Sequence, residues 1–538
     1  MEALQRHSAV VQSLGLFKAA NARQVLWDLA QLAVSGVLGP PSSPYDSLEH
    51  VSCVDVFISH NWSCPSALKY LAMCHYLNLD LALISSSATA IVTALILILR
   101  AGSVTGVAQE SVAFLCGALI HWPMSVFLLA YLFGHVGQVF AKQSFWFDRI
   151  CVDQNDMAVK EQTLQAIPAF VAQSKQMLIL WDNTYFQRLW CLYEIAVSAK
   201  TSTSSFQKEQ FVPTWAPLGT LFCLGLFFFG SLVLGETESM ILDKTSRWSV
   251  LKSFFVGNFP PIYLEFLLAV FLSYICFQKL QRHESMLTQM SCFDIRKARC
   301  SVESDREVIF HLVGKLFAEE PLITVTLKEI CGEDVMESET LSMIEDLPDE
   351  EILNNFNIYV RGPLRESLLQ SMGEAGELPF KLCLVILLPC ELLGLVFVLG
   401  CDGHGCETSA SYAGYSSVSH YFLTNSLNNL VIGPIFTAMS FPVMLRTNHL
   451  VSRLVSDFLL RWLVGSICCT VMQFCMDVLF CCLCGLTVVV STKFSTLWLA
   501  AWIFGFTLWL SFLFCLFKKQ IKSPRQRSLQ RVSSIDCF

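Results

Sequence analysis

Runs of about 20 apolar residues recur along this chain, and they come in pairs. Leu81–Leu99 is followed by Val112–Phe133, Trp215–Leu234 by Pro261–Phe277, Phe380–Leu399 by Tyr421–Leu445, and Trp462–Val490 by Thr496–Phe517. Such a run crosses a bilayer as a helix, because in lipid every backbone N–H and C=O must be bonded within the segment itself. The reading is about eight transmembrane α-helices in hairpins, with the lipid bilayer as the first partner. Composition agrees: 54% of the 538 residues are hydrophobic and 15% are charged, against about 25% charged in a soluble domain.

Hairpins return every soluble stretch to one side of the membrane. Arg446, Arg453 and Arg461 precede Trp462, and Lys518, Lys519, Lys522, Arg525, Arg527 and Arg531 follow Phe517. Lys and Arg concentrate on the cytoplasmic side, so the soluble stretches and the C-terminus are expected there. The loop with Lys244, Arg247 and Lys252 pulls the other way, but Glu236, Glu238 and Asp243 accompany it. Residues 1–50 show no apolar core behind a basic start, so no cleavable signal peptide is expected. Which membrane the chain enters is not encoded in any of these features. A net charge of −8 excludes a mainly basic nucleic-acid binder.

Most of the 23 cysteines sit inside apolar runs and read as small buried hydrophobes. Cys401 and Cys406 stand apart, flanking a polar loop after a membrane segment. A disulfide facing the cell exterior is the first reading. A metal site with His404 is the weaker one, since it leaves a fourth ligand unnamed.

Between the membrane runs the sequence changes character. Residues 1–50 read as a helical or irregular segment. Residues 51–80 and 141–213 alternate short apolar strands with helices and read as the two halves of one parallel α/β domain, split by the hairpin at 81–134. Expected strands are Val54–Ser59, Ser144–Ile150 and Lys175–Trp181, in spatial order second, first, third. The hairpin at 214–277 leads to a small cytosolic α+β module, 278–378. Ser304-Asp-Arg-Glu307 has capping-box spacing before the helix Val308–Phe317, Ile323–Leu327 and Ile358–Val360 read as strands, and Leu364–Met372 as a helix. The acidic run Glu333–Glu351 reads as a solvated face or, alternatively, a surface for basic partners. A hairpin at 379–445, a basic loop at 446–461, a hairpin at 462–517 and a basic tail at 518–538 complete the chain.

Three blocks carry chemistry. Asp55-Val-Phe-Ile-Ser59 is a strand ending in a hydroxyl residue; Phe145-Trp-Phe-Asp-Arg-Ile150 precedes Cys151-Val-Asp-Gln-Asn-Asp156; and Trp190-Cys191-x-x-Glu194 opens a helix. In this order they resemble the Toll/interleukin-receptor (TIR) family, whose first strand reads like D-V/A-F-I-S-Y and whose third helix carries W-C-x-x-E. The middle block also resembles the heterokaryon-incompatibility (HET) relatives of that fold. The resemblance covers about a fifth of the chain. His60 stands where the family has an aromatic residue, and the Arg-Asp…Pro-Gly loop that adaptor-type TIR domains use for partner contact is missing.

The resemblance implies a flavodoxin-like parallel sheet and TIR–TIR self-association. It also implies a role for Glu194 in cleaving the nicotinamide–ribose bond of NAD+, which would be a substrate rather than a bound cofactor; no metal is implied. A carboxylate suits the oxocarbenium-like state of glycosidic cleavage. His60 and Asn61, at the end of the first strand, are candidate substrate contacts by position. Asp153 and Asp156 are candidate ribose ligands, although Asp-Gln-Asn-Asp is equally ordinary turn chemistry. Glu194 has its own plainer reading, an acid favoured near a helix N-terminus. Trp190 is expected to pack its helix on the sheet, and Cys191 to be core.

Glu391 and Asp477 lie inside apolar runs. Carboxyl groups in lipid mark ion paths or are kept protonated and hydrogen-bonded across helices. Three functions stay open at this point: signalling or stress sensing with NAD+ cleavage, a non-catalytic TIR-like interaction module, and a transporter or channel with a regulatory soluble domain.

Overall fold

The structure is a computed structural model that describes residues 11–12, 15–35, 45–137, 143–153, 155–201, 209–242, 250–300, 302–318, 349–401, 405–412 and 414–521. The expected strand Ile323–Leu327, the acidic run up to residue 348, His404 and the basic tail beyond residue 521 lie outside these. The chain forms two compact units.

The first unit comprises residues 1–77, 135–217 and 282–371. It holds a six-stranded sheet of β1 (Lys18–Asn21), β2 (Glu49–His50), β3 (Val54–His60), β4 (Ser144–Trp146), β5 (Ser174–Trp181) and β6 (Glu209–Pro213), in spatial order β2-β1-β4-β3-β5-β6. β4, β3 and β5 are adjacent and parallel, so the two blocks separated by the first hairpin do share one sheet. Each half alone is too small to bury a core. β6 continues the parallel set.

The sheet is mixed rather than purely parallel. β1 pairs antiparallel with both β2 and β4, so the N-terminal segment, expected to be helical or irregular, supplies two strands besides the helix Ala22–Ser35. The apolar content of Lys18-Ala-Ala-Asn21 is too slight to signal a strand, and the partners that make it one are distant in sequence.

Residues in β3 and β5 are buried almost without interruption, with Val54, Val56, Phe57 and Met177 to Trp181 at 0–1% exposure. Strands covered on both faces lose the in–out alternation of a half-buried sheet. Phe57 stacks on Trp146 at 4.7 Å, and Trp146 on Phe170 at 5.0 Å. Asp55 sets the register at the strand starts. Its Oδ1 accepts from Lys175 Nζ at 2.7 Å, and its Oδ2 accepts from the Ser144 backbone N–H at 2.8 Å and hydroxyl at 2.9 Å. One side chain thereby ties β3 to both of its neighbours.

Residues 282–371 belong to this unit rather than to a module of their own. Leu189 N–H donates to Arg299 O at 3.0 Å, and Trp190 Nε1–H donates to Asp305 Oδ2 at 3.2 Å. Trp190 therefore ties its own helix to the helix Ser304–Ala318. Ile358 and Val360, read as a strand, lie in the helix Asp349–Tyr359 and the π-helical turn Val360–Leu364. The described elements of this stretch are helices, apart from an isolated bridge between Arg299 and Arg188.

The second unit comprises residues 78–134, 218–281 and 372–538. Among the described residues five helices are long and apolar enough to cross a membrane: Ser66–Ala101, Val112–Gly137, Val418–Leu454, Phe458–Thr492 and Thr496–Phe517. The count rises to six if Phe380–Ile386 and Leu388–Leu399, bent by 62° at their junction, form one span. The rest of the chain covers 17% and 11% of the most apolar windows of Phe458–Thr492 and Thr496–Phe517. Apolar helices left bare to that degree suit a lipid solvent. Cys401 and Cys406 are joined by a disulfide and pack with Ala410 and Tyr421.

Candidate functional site

The carboxyl ends of parallel strands are where α/β sheets present functional groups, because the helices return the chain to the opposite edge. Here that edge carries Ser59 and His60, the last residues of β3, then Asn61. Asp182 follows β5 directly. Asp148 follows β4, whose expected extent to Ile150 is cut short: the chain leaves the strand after Trp146 and turns into the helical segment Asp148–Cys151. That turn places Asp148 beside β3.

Glu194 sits in the helix Leu189–Thr201; the residue is half-buried, with its carboxyl turned inward onto Ser59. Ser59 Oγ–H donates to Glu194 Oε2 at 2.5 Å, and the same hydroxyl lies 2.5 Å from Tyr185 Oη. Burial pushes the Glu194 carboxyl up to about 8; the Ser59 hydrogen bond opposes this and the Asp148 charge adds to it. Tyr185 is fully buried, and its phenol is raised well above its ordinary range by burial, then by Cys191 and Glu194. It therefore stays a neutral donor, and the order Tyr185 to Ser59 to Glu194 is a donor relay ending on the carboxyl.

A second cluster lies at the same strand ends. His60 Nε2 is 2.9 Å from Asp148 Oδ1, and Lys69 Nζ is 3.2 Å from His60 Nδ1. A charged Lys69 makes Nδ1 the acceptor, so Nε2–H donates to Asp148. Trp62 Nε1–H donates to Asp148 Oδ2 at 2.6 Å, and Trp62 is 43% exposed. Burial alone would raise Asp148, but the His60 imidazole, the Trp62 N–H and Lys69 outweigh it and hold the carboxyl below its usual range. Asn61 is fully buried, and its Nδ2–H groups donate to Thr184 Oγ1 at 2.5 Å and Asp182 Oδ2 at 3.2 Å. Its Oδ1 accepts from the Ser63 backbone and hydroxyl.

Of the residues singled out from sequence, His60, Asn61 and Glu194 sit at this edge. His60 and Glu194 are linked through Cys191, whose thiol donates to His60 O at 3.5 Å one helical turn before Glu194. Asp153 and Asp156 spend their side chains locally. Asp153 Oδ1 accepts from Asn155 N–H at 2.9 Å, and Asp156 Oδ1 accepts from Ala158 and Val159 N–H at 2.9 and 3.2 Å, capping the helix Met157–Gln165. Such bonds are ordinary turn and capping chemistry.

Sequence reading missed Asp148, Lys69, Tyr185 and Asp182. Asp148 was within reach, as the one acid in the block Phe145–Ile150. Lys69, a cation near the start of the helix Ser66–Ala101, is only 4% exposed. Among the described residues no group of three or more His, Cys, Asp or Glu side chains is placed to hold a metal. Comparison with models of protein families, with curated proteins and with solved structures gave no match.

Proposed function

We propose that this chain is a multi-pass membrane protein for signalling or stress sensing, whose TIR-like, flavodoxin-like α/β unit faces the cytosol and cleaves the nicotinamide–ribose bond of NAD+ at Glu194. The bend-joined pair and the runs Trp215–Leu234 and Pro261–Phe277 bring the span count to about eight. One observation carries the catalytic part: Glu194 meets Ser59 at 2.5 Å, at the edge where parallel strands end.

In the reaction the C1′–N bond breaks and its electron pair leaves with nicotinamide, which departs neutral. The Glu194 carboxylate offsets the positive charge that develops at C1′ and the ring oxygen. Water adds at C1′ and gives its proton to the carboxylate, then to solvent, leaving ADP-ribose, nicotinamide and one proton. The raised pKa fits a site that waits for a cation. The pyridinium of NAD+ brings the fixed positive charge that favours ionised Glu194, so binding releases a proton. Association of two or more α/β units would be the natural trigger.

A second reading is a non-catalytic interaction module, and one observation favours it. His60, Asp148 and Lys69 satisfy one another, and Asn61 is satisfied by Thr184 and Asp182, so the strand ends keep their shape without a ligand, while Trp62 stays open to a partner. The test is the full-length protein in lipid nanodiscs incubated with NAD+ at rising protein-to-disc ratio, with nicotinamide measured chromatographically. Release by wild type and none by Glu194→Gln supports the enzyme. No release from either, at every ratio, leaves the interaction module.

A further inference from the structure

Two adjoining cavities open between the helices of the second unit, of about 250 and 180 Å³. Both are lined by Asp477, Gln473, Ser440, Thr437 and Cys390. The larger is otherwise apolar, walled by Leu268, Leu272, Leu387, Phe441 and Met444. Asn429, from the π-helical turn Asn428–Ile432, lines the smaller one. The cavities lie where the chain is least regular: Leu387 marks the 62° break between Phe380–Ile386 and Leu388–Leu399. Interrupted helices and π-turns among membrane spans are where binding sites are built.

The polar end is assembled rather than incidental. Gln473 Nε2–H donates to Asp477 Oδ1 at 2.9 Å, fixing the carboxyl from one helical turn away. Thr437 uses its hydroxyl hydrogen on Gly433 O at 2.6 Å, which leaves its oxygen lone pairs as acceptors. Ser440 is 6% exposed, lines both cavities, and its Oγ has no hydrogen-bond partner among the described residues. A buried hydroxyl left unsatisfied is destabilising, and a ligand donor would relieve it.

We propose that these cavities form a binding site for a small hydrophobic amine, its ammonium group at Asp477 and Ser440 and its apolar body against Leu272, Phe441 and Met444. The acceptors at one end are a carboxylate and hydroxyl oxygens, so the ligand's head is a donor and a cation. Intramembrane carboxylates serve as ligand counter-ions in this way. An inorganic cation would need about six oxygens to replace its water, and most of the larger cavity's wall is hydrocarbon. An ammonium needs three acceptors, and its carbon skeleton occupies the rest.

The experiment titrates full-length protein in lipid nanodiscs calorimetrically with phenethylamine and with 2-phenylethanol, which has nearly the same shape and no charge. Saturable binding of the amine, about tenfold or more tighter than the alcohol, is expected, and Asp477→Asn should abolish that preference. Ser440→Ala should weaken the amine severalfold while leaving the melting temperature within a degree or two. Met444→Trp, which fills the apolar part, should weaken amine and alcohol alike. Equal affinity for amine and alcohol overturns the proposal. So does amine affinity unchanged in an Asp477→Asn protein that elutes and melts like wild type, or displacement of the amine by sodium or potassium at the concentration that saturates an inorganic site.

Discussion

His60 Nε2 lies 2.9 Å from Asp148 Oδ1, although 88 positions separate the two in the chain. The contact joins the ends of two parallel strands and sets the charge of the whole strand-end cluster. Burial would raise Asp148, and His60, Trp62 and Lys69 reverse that. A carboxylate with a lowered folded pKa stabilises the fold above its unfolded value of about 3.9, and loses that contribution as pH falls through the lower folded value.

Asp148→Asn should therefore cost about 2 kcal/mol at pH 7, the worth of hydrogen bonds to a charged group. It should also flatten the loss of stability below about pH 4. Denaturant unfolding followed by tryptophan fluorescence at several pH values checks both. Parallel pH profiles for wild type and variant would remove this account of Asp148.

Glu194 titrates with the opposite sign. Its folded pKa, raised to about 8 by burial, means that the folded chain holds a proton which the unfolded chain releases near pH 4–5. Stability should fall as pH rises from about 5 to 8, and Glu194→Gln should flatten that fall.

Turnover should move the other way. The rate constant kcat/KM for nicotinamide release should climb toward pH 8 as Glu194 ionises in the free protein. Glu194→Gln should lose two to three decades in rate, about 3–4 kcal/mol, with its helix intact. A rate that is flat between pH 6 and 8.5 would exclude Glu194 as the titrating group.

Asp28 and Arg149 form a buried ion pair. Arg149 Nε–H donates to Asp28 Oδ2 at 2.7 Å, with the two side chains 8% and 1% exposed. Asp28→Ala leaves the guanidinium buried without its carboxylate and should cost about 3–5 kcal/mol. The loss should appear in the α/β unit's unfolding transition. A cost below 1 kcal/mol would mean that the N-terminal helix does not hold the strand edge.

Within the second unit, Gly394 meets the backbone of the neighbouring helix: a Cβ there would stand 2.5 Å from Asn429 O. Small residues let helices approach closely in membranes. Gly394→Ala should destabilise the helix bundle by about 1–3 kcal/mol, since the atom in the way is backbone and cannot rotate aside. Thermal unfolding in nanodiscs reads this directly, and an unchanged melting temperature would contradict the packing.

What sequence reveals here follows from the range of each cause. Continuous apolar strands such as Met177–Trp181 announce themselves, as do apolar runs long enough for a bilayer. His60 and Asn61 follow from the position of a strand end, and Glu194 from the resemblance of its helix start to a known motif. Lys18–Asn21 became a strand only through partners at 49–50 and 144–145, and nothing in its four residues says so. Ile358 and Val360 are β-branched in a short apolar run, yet Asp349–Tyr359 around them is helical. Packing overruled that local preference. Lys69 shows the same limit, since its burial depends on His60 and Trp62 being folded above it.

The separation of His60 from Ser144 also sets an order of events during synthesis. When β3 leaves the ribosome, β4 and β5 do not yet exist, and the first hairpin must be made before either strand can pair with it. At ordinary rates of translation that interval is on the order of ten seconds. Throughout it, Val54–His60 is an apolar strand with both edges open, the kind of segment that pairs with the wrong neighbour. On the membrane reading proposed above, insertion of residues 81–134 would double as the clock for the α/β unit. A defect in that hairpin, however far from Glu194, would reach the cell first as an unpaired strand awaiting a chaperone.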